Sequence, residues 1–303
     1  MKTDMGLPGN PRIAVVCGGP SAEAGVSRMS GRGVADALRS TYSNVVLLEL
    51  DTSIGEALRD GSVEVVFPVL HGPPGEDGTF QGFLEILGLP YVGSAVHASA
   101  CAMDKVLAKH LFRNAGLPVA RDTIIQRQVG ASLATKQVWE TFGSQVVVKP
   151  SRQGSALGVR FPRELSEFEA ALEEAFSYDE RVLVEERVEG REITVGILER
   201  NGIEALPVLE VCTPSGSWYD FEHRYTQGLS EHIIPAPLPA AQYDRTQELA
   251  RQAHAALGCR DLSRVDFVVP ENEEPVILEV NTLPWHDADE LVPGCGQSKR
   301  SFV

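Results

Sequence analysis

Short apolar runs alternate with helix-like stretches at the start of the chain, and this alternation restricts the possible folds more than any other feature. Ile13–Val16 is a β-branched run that ends in Gly18-Gly19-Pro20, and an amphipathic stretch follows through residues 34–38. Residues 45–50 and 63–70 are further strand candidates with helical segments between them. Strand, glycine turn and helix in repetition are typical of a parallel sheet covered by helices. We therefore predict an α/β unit here.

The rest of the chain has a different pattern, which predicts an α+β arrangement. Asn201-Gly202 between two apolar runs is a strong hairpin signal. A capping box of Ser166 and Glu169 is expected to begin one helix. The predicted strands are 146–149, 181–188, 263–269 and 275–281, and the predicted helices include 98–115 and 249–257.

The last two predicted strands carry a polar face. If their pairing is symmetric about the loop between Pro270 and Pro275, Asp266 lies opposite Glu279 and Arg264 lies opposite Asn281. The residues expected on the opposite, core face are Val265, Phe267, Leu278 and Val280. Two carboxylates and an amide oxygen suit magnesium beside a phosphate. A solvated face with a cross-strand Arg–carboxylate pair fits the same spacing, and the spacing alone favours neither interpretation.

A lysine precedes a loop of small residues in the middle of the chain. Lys149 ends a β-branched run, and Gly154, Ser155 and Gly158 follow it. Backbone amides of such a loop can bind phosphates, and the lysine adds a positive charge. The spacing differs from that of a P-loop. Considered alone, the stretch is more often a flexible turn with a surface lysine.

Two loops follow predicted strands of the parallel sheet, at the edge where α/β proteins bind ligands. One contains His71 within Leu70-His71-Gly-Pro-Pro-Gly-Glu-Asp-Gly78, and the other contains Glu23 after Gly18-Gly19-Pro20. A turn histidine and a helix-capping carboxylate are the alternatives. For Glu23 considered alone, helix capping is the better interpretation.

Composition excludes several classes of function. The net charge of −15 argues against binding a nucleic-acid backbone. No apolar run is long enough to span a bilayer, and the N-terminal residues lack the apolar segment of a signal peptide. The cysteines, Cys17, Cys101, Cys212, Cys259 and Cys295, lack paired spacing. We therefore expect neither a disulfide framework nor a zinc site, and a reducing, cytoplasmic location.

Taken together, these stretches resemble the D-alanine–D-alanine ligases, which have the ATP-grasp fold. The segments that carry the resemblance occur in the family's order between residues 13 and 284: GGPSAEAGVS, LHGPPGEDGTFQGFLEILGLPYVGS, ASACAMDK, VVKPSRQGSALGV, GREITVGIL, WYDFEHRYTQGLSEHIIPAPL, SRVDF and EVNTLP. Their order is more specific than any single segment. The resemblance implies an ATP-grasp fold preceded by an N-terminal parallel-sheet, Rossmann-like domain, with domains at 1–102, 103–188 and 189–303.

The resemblance also implies a reaction and a set of site residues. ATP would phosphorylate the carboxylate of one D-alanine, and the amine of a second would attack the acyl phosphate. The implied ATP-binding residues are Lys105, Lys149, Glu185, Glu192 and Arg224; the implied ligands of Mg²⁺ or Mn²⁺ are Asp266, Glu279 and Asn281; the implied substrate and catalytic residues are Glu23, His71, Ser155, Tyr225 and Arg264. Residues 222–232 would form a lid that excludes water. A cytoplasmic homodimer serving peptidoglycan precursor synthesis is implied as well.

The chain departs from the family pattern at two places. Arg224 stands where lysine is usual, which preserves the charge. After Pro284 the family continues with Gly-Met-Thr-x-x-Ser, whereas this chain has Trp285, His286 and an acidic cluster that includes Glu290. The missing serine would bind the carboxylate of the second substrate.

We hypothesise that the tail from Trp285 is a frameshift product, natural or from a sequencing error. Tryptophan is encoded only by TGG, and histidine codons begin with CA. Loss of one base at the start of codon 285 therefore permits Gly-Met-Thr-Pro-Thr-Ser, with serine in place of Glu290. Two alternatives keep the tail as written: a related ligase that takes a different, cationic or amine second substrate, and a nucleotide-binding homologue that has lost ligation.

Overall fold

The computed structural model describes residues 9–214, 226 and 229–284. The helices are α1 (Ala24–Arg39), α2 (Ile54–Asp60), α3 (Thr79–Leu87), α4 (Val96–Met103), α5 (Lys105–Asn114), α6 (Ala131–Phe142), α7 (Leu165–Tyr178) and α8 (Ala240–Leu257). The strands are β1 (Ile13–Cys17), β2 (Val45–Glu49), β3 (Val65–Pro68), β4 (Asp122–Gln126), β5 (Val146–Pro150), β6 (Arg181–Glu186), β7 (Arg191–Glu199), β8 (Ile203–Ala205), β9 (Leu209–Cys212), β10 (Glu231–Ile233), β11 (Leu262–Val269) and β12 (Val276–Asn281).

The first strands form a parallel sheet in the order β2-β1-β3, as the alternating pattern predicts. Every residue of the central strand β1 is buried. Because side chains alternate across a strand, Ala14 and Val16 join one apolar cluster while Ile13 and Val15 join another on the opposite face. Burial on both faces explains why this strand is a continuous apolar run.

A second, antiparallel sheet has the order β4-β6-β5 and is called the small sheet below. Helices α6 and α7 contribute Val138, Phe168 and Leu172 to a core shared with strand residues such as Val148 and Val184. This sheet carries Lys149 and the loop that follows it.

The third sheet, called the large sheet, has the order β10-β9-β7-β11-β12, with β8 paired to β7. The β7–β8 pairing confirms the hairpin predicted at Asn201-Gly202. Residues of α4, α5 and α8 form an apolar cluster with those of β7, β11 and β12. Among the described residues, no helix combines the length and the apolar character needed to cross a membrane.

Three local predictions were wrong. The helix expected over 98–115 is two helices, because Asp104 is extended (φ −92°, ψ 98°) and its carboxylate accepts hydrogen bonds from the backbone N–H groups of Val106 and Leu107. The capping box of Ser166 and Glu169 does not form, since α7 begins earlier, after Glu164. The helix predicted around 249–257 is confirmed and begins earlier, at residue 240.

The third wrong prediction concerns the core face of the last hairpin. The β11–β12 register shifts by one residue between Asp266 and Phe267, so that Phe267 pairs with Ile277. Such a bulge leaves Leu278 partly exposed and buries Ile277 instead. The pairs on the Asp266 side of the bulge are unaffected.

The unit of the parallel sheet contacts the unit of the large sheet through residues 260–261 and Gly93. Arg260 donates from Nε to the carbonyl oxygen of Gly93 over 2.6 Å, and the Gly93 N–H donates to Asp261 over 2.8 Å. Leu283, just after β12, is 2% exposed and belongs to an apolar cluster of the parallel sheet. The end of β12 is therefore anchored in the first unit.

Candidate functional site

The β11–β12 hairpin brings the predicted polar face together. Asp266 pairs with Glu279 and Arg264 pairs with Asn281, which confirms the register predicted from sequence. The side chains of Arg264 and Asp266 are 18% and 16% exposed. This face is partly buried, so its charges are screened less than those of an ordinary surface pair.

Asp266 is the centre of a hydrogen-bond network on this face. Its two oxygens accept hydrogen bonds of 2.9 Å each from Nε and Nη2 of Arg264. Thr194 on β7 donates from its hydroxyl over 2.6 Å, and Asn281 donates from its amide nitrogen over 3.0 Å. Arg264 thus pairs with a carboxylate of its own strand. Thr194 was missed, although it lies in the quoted segment GREITVGIL.

Lys105, the first residue of α5, connects this face to the loop after β5. Its Nζ lies 3.0 Å from an oxygen of Glu279 and donates to the carbonyl oxygen of Gln153 over 2.8 Å. Asp104 holds this region in place, because its carboxylate caps α5 and accepts a 2.9 Å hydrogen bond from the Ser151 hydroxyl. A cation that replaced Lys105 beside Glu279 would lie next to the loop.

Lys149 and Glu185 lie on neighbouring strands of the small sheet. Lys149 Nζ is 2.6 Å from one oxygen of Glu185, and Lys109 Nζ is 2.6 Å from the other. Burial alone would raise the pKa of the Glu185 carboxyl, but the charges of Lys149 and Lys109 outweigh burial, and the pKa lies below its ordinary value. Glu185 is therefore an anion held between two ammonium groups.

Glu192 is not on the same sheet as Glu185. It is on β7 of the large sheet, opposite Val268 of β11, and shares a strand face with Thr194. The two carboxylates that the resemblance assigns to adenine and ribose thus belong to different sheets.

Glu23 connects the parallel sheet to the loop after β5. Its carboxylate accepts a hydrogen bond from the Ser155 hydroxyl, which is the contact that the resemblance implies. Glu23 is 8% exposed and precedes α1, but its side chain does not cap that helix. Ser155 has φ 49°, a left-handed conformation uncommon for a residue with a side chain. The helix-capping interpretation of Glu23 is therefore wrong.

The loop after β3 closes over Glu23. Gly72 has φ 67°, a left-handed conformation that favours glycine, and a Cβ atom there would lie 2.9 Å from Oε2 of Glu23. His71, 3% exposed, contributes its carbonyl oxygen to a 2.6 Å hydrogen bond from the Ser21 hydroxyl. These contacts bring two loops of the parallel sheet together at its carboxyl edge.

Glu76, in the same loop, was missed as a site residue. Its carboxylate accepts a 2.6 Å hydrogen bond from the Gly72 N–H. Burial, together with the negative charges of Glu23 and Glu279, raises the pKa of the Glu76 carboxyl to about 8. The only signal in the sequence was an acidic residue within a glycine- and proline-rich loop at a ligand-binding edge.

The oxygens on the hairpin face fit a divalent cation. Asp266, Glu279 and Asn281 offer carboxylate and amide oxygens from adjacent strands, the hard donors that Mg²⁺ and Mn²⁺ prefer. Clusters of three or more His, Cys, Asp or Glu residues suited to a metal are absent from the part of the chain that the structure describes. A metal here would therefore need the Asn281 amide or ligands from a bound phosphate.

Arg224 and Tyr225, most of the lid predicted at 222–232, and the tail from Trp285 with His286 and Glu290 lie outside the described residues. Their predicted roles stay predictions.

Comparisons with known proteins agree with the resemblance. Residues 51–94 match the family model "D-ala D-ala ligase N-terminus", and residues 111–293 match "D-ala D-ala ligase C-terminus". The D-alanine–D-alanine ligase of Geotalea uraniireducens is 45% identical over 93% of this chain and 88% of its own length. That of Desulforamulus reducens is 42% identical over 93% of this chain and 91% of its own.

Solved structures share the fold. D-alanyl-alanine synthetase A from Vibrio cholerae superimposes with a TM-score of 0.82 at 25% identity, over 94% of this chain and 92% of that one. D-alanine–D-alanine ligase from Bacillus anthracis complexed with ATP superimposes with a TM-score of 0.77 at 29% identity, over 91% of this chain and 87% of that one. The two antiparallel sheets form an ATP-grasp fold behind a parallel-sheet unit. This chain belongs to the D-alanine–D-alanine ligase family.

Proposed function

We propose that this protein joins two D-alanine molecules into D-alanyl-D-alanine with ATP, for peptidoglycan precursor synthesis. A carboxylate oxygen of the first D-alanine attacks the γ-phosphorus, ADP leaves, and an acyl phosphate forms. The deprotonated amine of the second D-alanine attacks the acyl carbon. The tetrahedral intermediate then expels phosphate and leaves the peptide bond.

The nucleotide would lie between the small and the large sheet. Lys149 and Lys105 flank the loop after β5, where their ammonium groups and the backbone amides can bind phosphate oxygens. Glu185 and Glu192 would hold the adenine and the ribose. Arg224, next to Tyr225, would add charge to the phosphate site.

Glu23 and Arg264 would act on the amino acids. Glu23, 8% exposed and held by Ser155, is suited to bind the ammonium group of the first D-alanine, and the resemblance assigns His71 and Tyr225 to the same substrate. Arg264 would stabilise the negative charge that develops on the acyl oxygen, an effect of about 10²–10³ in rate in comparable sites.

Asp266, Glu279 and Asn281 would hold Mg²⁺ or Mn²⁺. The ion would neutralise phosphate charge during transfer. For that, Lys105 must leave Glu279, to which it is now paired at 3.0 Å. In the free enzyme the lysine compensates the charge that a metal would compensate in the complex.

The observation that carries this proposal is the convergence of three separate elements. Lys105 on α5 contacts both Glu279 on β12 and the carbonyl oxygen of Gln153 in the loop after β5. Two residues further along that loop, the Ser155 hydroxyl donates to Glu23. The residues proposed to bind phosphate, metal and substrate are therefore linked through direct contacts. This ligation requires a site for phosphate transfer next to a carboxylate that binds the ammonium group of the first D-alanine.

The test is ATP turnover that depends on D-alanine. With Mg²⁺, ATP and D-alanine, the purified chain should release phosphate, and hydroxylamine should trap the acyl phosphate as a hydroxamate. L-alanine, D-serine and D-lactate serve as comparisons. Glu23→Gln should raise the KM for D-alanine, whereas the exposed Glu167→Gln should not. Turnover that is independent of the amino acid would contradict the proposal.

We further propose the domains 1–102, 103–188 and 189–303, a homodimeric assembly and a cytoplasmic location. The boundaries are supported by the separation of the three sheets along the chain. The location is supported by the cysteines, since Cys17, Cys101, Cys212 and Cys259 are free thiols. Light scattering of the purified protein tests the assembly.

A further inference from the structure

Lys109 is a buried lysine with no role in the reaction described above. It lies on α5, one turn after Lys105, and its side chain is 2% exposed. Fully buried lysines are rare unless they are paired. Its partner is Glu185, at 2.6 Å, whose other oxygen is 2.6 Å from Lys149.

The two lysines on Glu185 differ in their surroundings. Lys149 is on β5, whose end leads directly into the Gly/Ser loop, and it is the more exposed of the two, at 9% against 2%. Lys109 is surrounded by charged groups of several elements: Glu185 from β6, Lys149 from β5, Asp122 from β4 at 3.9 Å, and Arg113 from its own helix, which itself pairs with Asp122. Lys149 is therefore the partner that can leave.

Nucleotide binding changes the charge balance around Glu185. If Lys149 turns to a phosphate, Glu185 loses one of its two cations while it remains buried. An uncompensated buried carboxylate is strongly unfavourable and takes up a proton instead. A protonated Glu185 would present a different hydrogen-bonding group to the adenine.

We propose that Lys109 is a positioning residue that keeps Glu185 ionised and in place while Lys149 exchanges Glu185 for the phosphates of the nucleotide. The inference rests on the proposed function, because it requires a nucleotide at this site. Lys109 does not touch the nucleotide; it acts through Glu185.

The experiment measures Mg·ADP binding by titration calorimetry at pH 6.5 in buffers of different ionisation enthalpy. Lys109→Met should bind Mg·ADP about tenfold to 100-fold more weakly than the unaltered chain. A rise of one to two units in the pKa of the buried Glu185 carboxyl on binding corresponds to that loss of affinity. It should also take up about one additional proton on binding. The exposed Lys136→Met is the matched control and should do neither.

A second pair of variants separates this role from a purely structural one. Once Glu185 is replaced by glutamine, the carboxylate charge that Lys109 is proposed to compensate during nucleotide binding is absent, and Asp122 keeps its pair with Arg113. Glu185→Gln and the double variant Glu185→Gln/Lys109→Met should therefore bind Mg·ADP equally. This pair also replaces the single variant if Lys109→Met does not fold, since the double variant removes both charges of the Lys109–Glu185 pair together and Asp122 keeps its pair with Arg113.

The inference is overturned if Lys109→Met binds Mg·ADP with normal affinity and without additional proton uptake. It is also overturned if Lys109→Met lowers the affinity by the same factor in the unaltered chain and in Glu185→Gln. The two proposals fail differently. If the unaltered chain itself does not bind Mg·ADP, the proposed function fails and this inference fails with it. If the unaltered chain binds and turns over ATP but the variants behave as just described, only the role of Lys109 is wrong.

Discussion

Replacement of Asp266 by asparagine should separate the stability of the hairpin face from its chemistry. Asparagine keeps one oxygen, which can still accept from Arg264 Nε and from Thr194. Its amide nitrogen then faces Nη2 of Arg264, a donor against a donor. The Asn281 amide can rotate to restore its hydrogen bond, but the guanidinium of Arg264 cannot.

The expected loss of stability follows from these contacts. One charge-assisted hydrogen bond is lost and one partly buried guanidinium loses its anion, so we expect a decrease of about 2 kcal/mol in the free energy of unfolding. Such a loss lowers the melting temperature by a few degrees and leaves a folded protein. ATP turnover should fall much further, by at least about 100-fold, because a divalent cation loses a carboxylate.

The assay combines calorimetric melting with D-alanine-dependent phosphate release at saturating ATP and Mg²⁺. Glu271→Gln, exposed in the turn of the same hairpin, is the control and should change neither quantity. Glu279→Gln should also abolish turnover, with a smaller effect on stability. Turnover within a factor of a few of the unaltered chain in both Asp266→Asn and Glu279→Gln would refute the metal assignment.

Further predictions concern other parts of the site. Lys149→Ala should weaken Mg·ATP binding strongly, since a charge-assisted phosphate contact is lost; equal affinities by calorimetry would make the Gly/Ser loop a turn only. The pKa of Glu76 is raised to about 8, so the folded state retains a proton that the unfolded state releases above its ordinary pKa of 4.5. Stability should therefore decrease from pH 5 to pH 8, and Glu76→Gln should remove this part of the decrease in thermal melts; identical pH profiles would contradict it. In the tail, Glu290 would stand about 4 Å from the second carboxylate, a repulsion of roughly 4 kcal/mol at an effective dielectric constant of 20. If the tail is the hypothesised frameshift product, the chain as written should phosphorylate D-alanine but form little dipeptide, and replacing the tail from Trp285 by the adjacent-frame sequence should restore dipeptide formation. Dipeptide formation by both chains, and DNA sequencing across codons 284–290, decide this.

The sequence predicts the architecture and the pairing of the polar hairpin face well, because both depend on periodicity. Alternation by two residues along β11 and β12 sets which side chains share a face, and this gave the Asp266–Glu279 and Arg264–Asn281 pairs correctly. It could not reveal the bulge at Leu278, since an inserted residue leaves no mark in an apolar run.

Buried charges were the main features that the sequence did not reveal. Asp104 interrupts a continuous helical pattern because its side chain caps the second helix, and the pattern alone does not distinguish a cap from a surface acid. Lys109 likewise appears in the sequence as an ordinary helix-surface lysine. Its burial depends on Glu185, which is 76 residues away along the chain and meets it only in the folded protein.

The anchoring of Leu283 in the parallel-sheet unit has a consequence for the order in which the protein is made. Residues 13–94 leave the ribosome long before Leu283 is synthesised, yet Leu283 is 2% exposed within their apolar cluster. The first unit therefore retains an apolar gap in its core until residue 283 has emerged. Completion of the first unit thus depends on the residues that directly follow Asn281, which couples the folding of the parallel-sheet unit to that of the hairpin proposed to bind the metal.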